Sequence, residues 1–263
     1  RGDTYFYQNP LECDTTRARW SWHECPCCPP MFLKLMGAMP GYIYATDQDA
    51  VYVNLFVSGH ATIERNGVPV TVRQSTRYPW EGRVHIAVEP RRPLPFAVMV
   101  RIPAWCSGET LRVNGKRVPT DSRVRGYVRI DRSWQTGDVI DLDLPMPVRR
   151  VFANPLVQAD VGRAAIVRGP LVYCIESTDN SAAVRAMHVS SGTAFSSEFS
   201  EQLLNGVVTV KTPAMAKADP RNGLYFSPPQ RAESRSATLT AIPYYANANR
   251  GPVDMTVWLP LEV

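Results

Sequence analysis

From Tyr42 onward, apolar residues recur at every second position in short runs, and this period of two constrains the fold more than any other feature of the chain. Tyr44, Val51, Val53, Leu55, Val57, Ile63, Val70, Val72, Val84, Ile86, Val88, Phe96, Val98 and Val100 fall in segments broken by Asp47-Gln48-Asp49, Asn66-Gly67, Glu81-Gly82 and Pro90-Arg91-Arg92-Pro93. Successive strand side chains point to opposite faces, so each run reads as a strand with one buried face. Short strands at close spacing, separated by turn residues, predict an antiparallel β-sandwich or jelly roll. Asn114-Gly115 lies between two β runs, the strongest short hairpin signal. Tyr127–Ile130 and Asp138–Leu144 continue the alternation, and Pro145-Met146-Pro147 closes a first sandwich spanning 44–148.

The remainder, 149–263, opens on Arg149-Arg150-Val151-Phe152 and carries two apolar runs, Ala164–Arg168 and Leu171–Ile175, hinged at Gly169-Pro170. Strand patterns return at Val207–Val210, Leu239–Ile242 and Met255–Leu259. A second β-sandwich is predicted, while the Ser-, Asn- and Ala-rich middle, roughly 177–237, gives no clear periodicity.

A length of 263 residues with 44% hydrophobic content is ample for one or two cores. The net charge of +5 comes mostly from arginines in alternating segments such as Arg123-Val124-Arg125, the pattern of a wet sheet face. No basic run interleaves with aromatics, so nucleic acid is not an expected partner. No membrane-length apolar run or signal peptide is visible, and the chain opens on Arg1 rather than Met.

Residues 1–43 differ from the rest. Thr4–Gln8 reads as half of a hairpin ended by Asn9-Pro10, and a helix signal (Phe32, Leu35, Met36, Met39) follows Pro29-Pro30 and stops at Pro40-Gly41. Between them, three of the six cysteines crowd into Glu24-Cys25-Pro26-Cys27-Cys28-Pro29-Pro30. Soft thiolates on a proline-stiffened turn at a helix start suit either zinc binding or nucleophilic attack. A structural zinc knot or buried thiols is the plainer alternative. The remaining cysteines lie far apart and imply no disulfide framework, so thiols in a reducing, cytoplasmic compartment are favoured.

These motifs together carry a resemblance. Tyr5–Glu12, Trp22, Cys25–Pro30, Gly41–Tyr44, Tyr78-Pro79-Trp80, Arg101–Cys106, Leu144–Arg150, Arg168–Cys174 and Ile242–Gly251 run in an order similar to glycoside hydrolase family 127, the β-L-arabinofuranosidase family. The resemblance implies a retaining glycosidase with an (α/α)6 catalytic barrel followed by two β-sandwiches. Of that barrel, 1–43 would be only the tail, and the missing N-terminal segment would be a necessary partner. It further implies that Cys27 is the nucleophile and a zinc ligand, that Cys28 is a zinc ligand, and that Tyr7 contacts an arabinofuranose-containing substrate. The remaining Glu and Cys ligands and the acid/base Glu would lie upstream, leaving zinc incompletely held and this chain inactive alone. Related enzymes can pair through their sandwiches, which makes a homodimer an expectation.

A thiol nucleophile replaces one of the two carboxylates that retaining hydrolysis ordinarily uses. Two departures from the family pattern stand out: Met31 where Asn usually follows Cys-Cys-Pro-Pro, and Cys13 where Ser is more common. His23 and Glu24 read as a solvated loop edge, with an acid–base pair as the alternative, and Cys25 as a neighbour of the ligands, with replacement of a missing cysteine ligand as the alternative. Cys106, Cys174, Trp80, Trp105 and Trp258 read as core residues, and His60, His85 and His188 have no assigned role. The competing functional class is a non-catalytic carbohydrate-binding or subunit-contact module whose cysteines are structural. Burial of the Cys27 and Cys28 thiols would favour it.

Overall fold

A computed structural model describes residues 3–217 and 234–262; part of the 177–237 stretch, 218–233, lies outside the described residues. The chain is mainly β and divides into two compact units, one of Arg1–Cys25 with Pro147–Val263, the other Pro26–Met146. Among the described residues no helix is long and apolar enough to cross a membrane.

In the N-terminal segment, Glu12–Cys13 forms β1. Thr4–Gln8 does not become a hairpin strand: a single bridge joins Tyr5 and Trp20, using both of their N–H groups. The aromatic side chains here stack on one another rather than lining a ladder.

The unit Pro26–Met146 starts with helices α1 (Cys28–Ala38) and α2 (Pro40–Ile43). Eleven strands follow: β2 (Tyr44–Thr46), β3 (Ala50–Val53), β4 (Gly59–Arg65), β5 (Val68–Thr76), β6 (Arg83–Pro90), β7 (Leu94–Arg101), β8 (Thr110–Val113), β9 (Lys116–Val118), β10 (Arg123–Val124), β11 (Tyr127–Trp134) and β12 (Asp138–Asp143). They build a five-stranded sheet in the order β10-β11-β7-β3-β2 and a six-stranded sheet in the order β4-β5-β6-β12-β8-β9. All pairings are antiparallel except β3 with β7.

The period of two accounts for the core between these sheets. Val51, Val98, Val100 and Ile130 from one sheet meet Val72, Ile86, Val88 and Ile140 from the other. Trp134 is fully buried there, and its indole N–H donates to the Phe96 carbonyl at 3.0 Å. Asn66-Gly67 and Asn114-Gly115 each supply two successive positive φ angles, the requirement of a two-residue hairpin turn matched to strand twist. At Gly82 the constraint is closeness: a Cβ there would sit 1.9 Å from the Leu144 carbonyl oxygen.

The other unit continues with β13 (Val148–Val151), β14 (Arg163–Arg168), β15 (Leu171–Glu176), β16 (Met187–Ser190), β17 (Ser196–Ser200), β18 (Val207–Lys217), β19 (Ser234–Pro243), β20 (Met255–Thr256) and β21 (Trp258–Glu262). Their order is β1-β20-β15-β19-β18-β16-β21-β14-β13, with β17 on β18. Because β15 also pairs with β14, the layers join at both edges. From Tyr173 to Glu176, strand β15 is buried on both faces, while Val172 at its start is exposed. Tyr173 and Ile175 enter one core with Met187 and Leu239, while Cys174 enters another with Cys13, Ile242 and Met255.

The second core holds the N-terminal segment in place. Tyr244 donates to the Pro10 carbonyl at 2.8 Å, and Arg19 donates to the carbonyls of Asn247 (2.7 Å) and Tyr245 (2.8 Å). Glu12 pairs with Arg163 and Arg185.

Candidate active site

Cys27 is the N-cap of α1 and Cys28 its first residue. An N-cap side chain normally accepts from the N–H of the second or third helical residue, but those positions are Pro29 and Pro30, which have none. The helix therefore starts without a side-chain cap. The prolines fix the entry angle of the chain while removing the two backbone donors that would compete for the Cys27 sulfur.

The two sulfurs are 3.9 Å apart and both residues are exposed. Two thiolates on a tetrahedral zinc, each at about 2.3 Å, lie about 3.8 Å apart. The pair thus has the spacing of two adjacent corners of such a shell. Among the described residues, no third His, Cys, Asp or Glu joins them in a metal-binding group. The fit is that of half a site.

Helix α1 has the apolar periodicity expected of it but buries none of its residues. Phe32 and Leu33 are 61% and 69% exposed, and Met31, Leu35 and Met36 are also open. Among the described residues, nothing buries this apolar face.

Tyr7 belongs to the other unit. It is half-buried and stacks on His23 with ring centroids 4.5 Å apart, and His23 stacks on Trp20 at 4.8 Å. His23 is half-buried among exposed neighbours, and its plane lies within 20° of Tyr7 and 9° of Trp20. Its Nδ1 lies 3.1 Å from both the N–H and the carbonyl oxygen of Cys25. The sequence pattern singled out Tyr7 and His23 separately and missed that Trp20 joins them. The only signal for it was the aromatic density of Trp20-Ser21-Trp22-His23.

The other cysteines are buried. Burial pushes the Cys174 thiol well above its ordinary range, helped by the nearby Glu176 carboxylate, and burial also raises Cys13. Cys106 and Cys174 are core residues, while Trp105 and Trp258 pack partly buried against cores. Cys13 fills the second core directly, so a thiol is accommodated where the family more often has a hydroxyl.

Comparison with known proteins decides the family. The model for the beta-L-arabinofuranosidase GH127 middle domain matches residues 50–146, and that for the glycoside hydrolase family 127 C-terminal domain matches 148–260. The chain belongs to glycoside hydrolase family 127. Within the family it is 33% identical to the non-reducing end beta-L-arabinofuranosidase of Bifidobacterium longum subsp. longum, covering 98% of this chain and 42% of the relative. A GH127 beta-L-arabinofuranosidase from Geobacillus stearothermophilus superposes with a TM-score of 0.92 at 35% identity, covering 98% of this chain and 43% of that one. A second solved GH127 beta-arabinofuranosidase gives 0.91 at 34% identity, over 99% and 42%. The GH127 chain described here thus spans about two fifths of the length of these relatives.

Proposed function

We propose that this GH127 chain is the C-terminal part of a retaining glycoside hydrolase acting on β-L-arabinofuranosides, with Cys27 as nucleophile. The observation that carries the reading is the exposed, uncapped sulfur pair at the start of α1. On this reading Cys27 and Cys28 hold zinc, and the bound metal keeps both sulfurs deprotonated and tempers their basicity.

Cys27 Sγ attacks the anomeric carbon as the aglycone oxygen leaves with a proton from an upstream Glu. The same Glu, now a carboxylate, takes a proton from water. The water oxygen then displaces the Cys27 sulfur and restores the original anomeric configuration. Tyr7, stacked on His23, is the residue that the family resemblance assigns to sugar contact. Residues 1–43 serve as the last part of an (α/α)6 barrel, whose earlier helices would cover the open side of α1. Without that part, the Glu and two zinc ligands are missing and the chain does not turn over substrate.

The test uses the full-length protein. Cys27→Ala should keep its fold by circular dichroism and lose hydrolysis of a β-L-arabinofuranoside by about a thousandfold or more. Cys28→Ala should lower the zinc content measured by atomic emission from about one per chain. Undiminished hydrolysis by Cys27→Ala would overturn the nucleophile assignment.

A further inference from the structure

The two faces of the five-stranded sheet are used differently. Val51 and Val98 enter the core, so their neighbours Ala50 and Ala97, paired across β3 and β7, fall on the opposite face. Asp131 extends the same row onto β11, and Tyr52, Met99 and Arg129 form the next row. A cavity of about 440 Å³ opens beside the 47–50 turn: Ala97, Arg129 and Asp131 reach it from this outer face, Phe96 and Arg132 from core-face register positions, and Arg65 and Asn66 from the β4–β5 turn, with Asp49 among its polar residues.

The polar side is held in place. Arg65 is only 7% exposed and donates to the carbonyls of Asp47 and Gln48, pinning the loop that carries Asp49. The Nε of Arg65 has no hydrogen-bond partner. Arg129 forks onto Asp131, with Nε–Oδ2 and Nη2–Oδ1 distances of 2.8 Å, and Arg132 donates to Asp138 at 3.1 Å. Each of the three guanidiniums already has an acceptor, and three carboxylates, Asp49, Asp131 and Asp138, balance their charge. An anion would have to displace one of those partners. A neutral ligand with several hydroxyls would not, because it can accept from remaining guanidinium N–H groups and donate to the Asp49 carboxylate. Among the described residues that carboxylate accepts no hydrogen bond. The volume falls in the lower part of the ~300–1,000 Å³ range of small-molecule sites, the scale of a mono- or disaccharide.

We propose that this cavity, shared by β7 and β11 of the five-stranded sheet and the β4–β5 turn of the six-stranded sheet, binds a neutral sugar, as a site built entirely from Pro26–Met146. It rests on the cavity, its apolar base and its balanced, fixed polar rim, and does not require Cys27 to be the nucleophile.

Saturation-transfer NMR and calorimetry on this chain, with L-arabinose and its disaccharide as probes and D-galacturonate as the anionic control, test it. Millimolar binding of the neutral sugars is expected, weakened about tenfold or more by Asp49→Ala and by Arg129→Ala without change in the melting temperature. Absence of binding, binding unchanged by both variants, or preference for the galacturonate would overturn it. So would affinity that survives both variants but vanishes in the Cys27→Ala, Cys28→Ala double variant, which would place the sugar at the sulfur pair.

Discussion

Arg250 closes over the carboxylate of Glu176, whose side chain has no exposed surface, with 2.5 Å between Nη2 and Oε2. The other Glu176 oxygen accepts from the Ala248 N–H at 2.7 Å, and Arg250 also forks onto Asp179. Hydrogen bonds donated to Asp179, then to Glu176, hold the guanidinium above its ordinary range despite partial burial. The arginine ties the 244–251 segment to the end of β15 by neutralising a charge that water cannot reach.

Removing one partner of such a pair leaves the other buried and uncompensated. Arg250→Ala should destabilise the chain by about 3 kcal/mol or more in denaturant unfolding. Adding Glu176→Gln should recover part of that loss, and a double variant no more stable than Arg250→Ala would contradict the role of the buried charge.

Gly82 predicts a second large effect from sterics. Its carbonyl accepts from the Leu144 N–H at 3.0 Å, and the close approach leaves no room for a side chain. Gly82→Ala should cost about 3 kcal/mol, with amide exchange accelerating first around Leu144. Retention of the parental melting temperature would mean that the two backbones separate at little cost.

The 47–50 turn should loosen in acid. Hydrogen bonds from the Tyr52 hydroxyl and from the Asp49 and Ala50 N–H groups hold the Asp47 carboxyl below its ordinary range. A depressed carboxylate pKa contributes stability above the unfolded-state value near ~4, and that contribution is lost as pH falls through the lower folded value. Amide exchange at Asp49 and Ala50 should therefore accelerate below that range, and Asp47→Asn should remove most of the pH dependence.

The six thiols should separate into two classes. In metal-free buffer, Cys25, Cys27 and Cys28 should react promptly with a chromogenic disulfide reagent, while Cys13, Cys106 and Cys174 should wait for unfolding. Mass mapping distinguishes the two, and early labelling of Cys174 would contradict its burial.

The strands of both units were legible because a half-buried sheet writes its two faces into alternate residues. Val84-His85-Ile86-Ala87-Val88 shows this in β6, and Asn114-Gly115 fixed its own turn by positive φ. Tyr5-Phe6-Tyr7 misled because aromatic residues favour strands only where a ladder is available, and here Tyr7 stacks with His23 and Trp20 while the Phe6 ring lies under Arg19. At the site, the order Cys-Cys-Pro-Pro was enough to place both sulfurs at a helix start. The exposure of α1 was not legible, since an apolar stripe has the same spacing whether or not anything covers it. The cavity was equally hidden: Ala97 and Asp131 are adjacent only through β-pairing across 34 residues of sequence.

With no buried side chain, α1 has little beyond its own eleven residues to hold it, and isolated helices shorter than ~12–15 residues are marginal in water. The lifetime of the Cys27–Cys28 geometry is thus tied to whatever lies on Met31, Phe32 and Leu33. Assembly on that surface would act as an arming step, fixing the sulfurs only once their surroundings are complete.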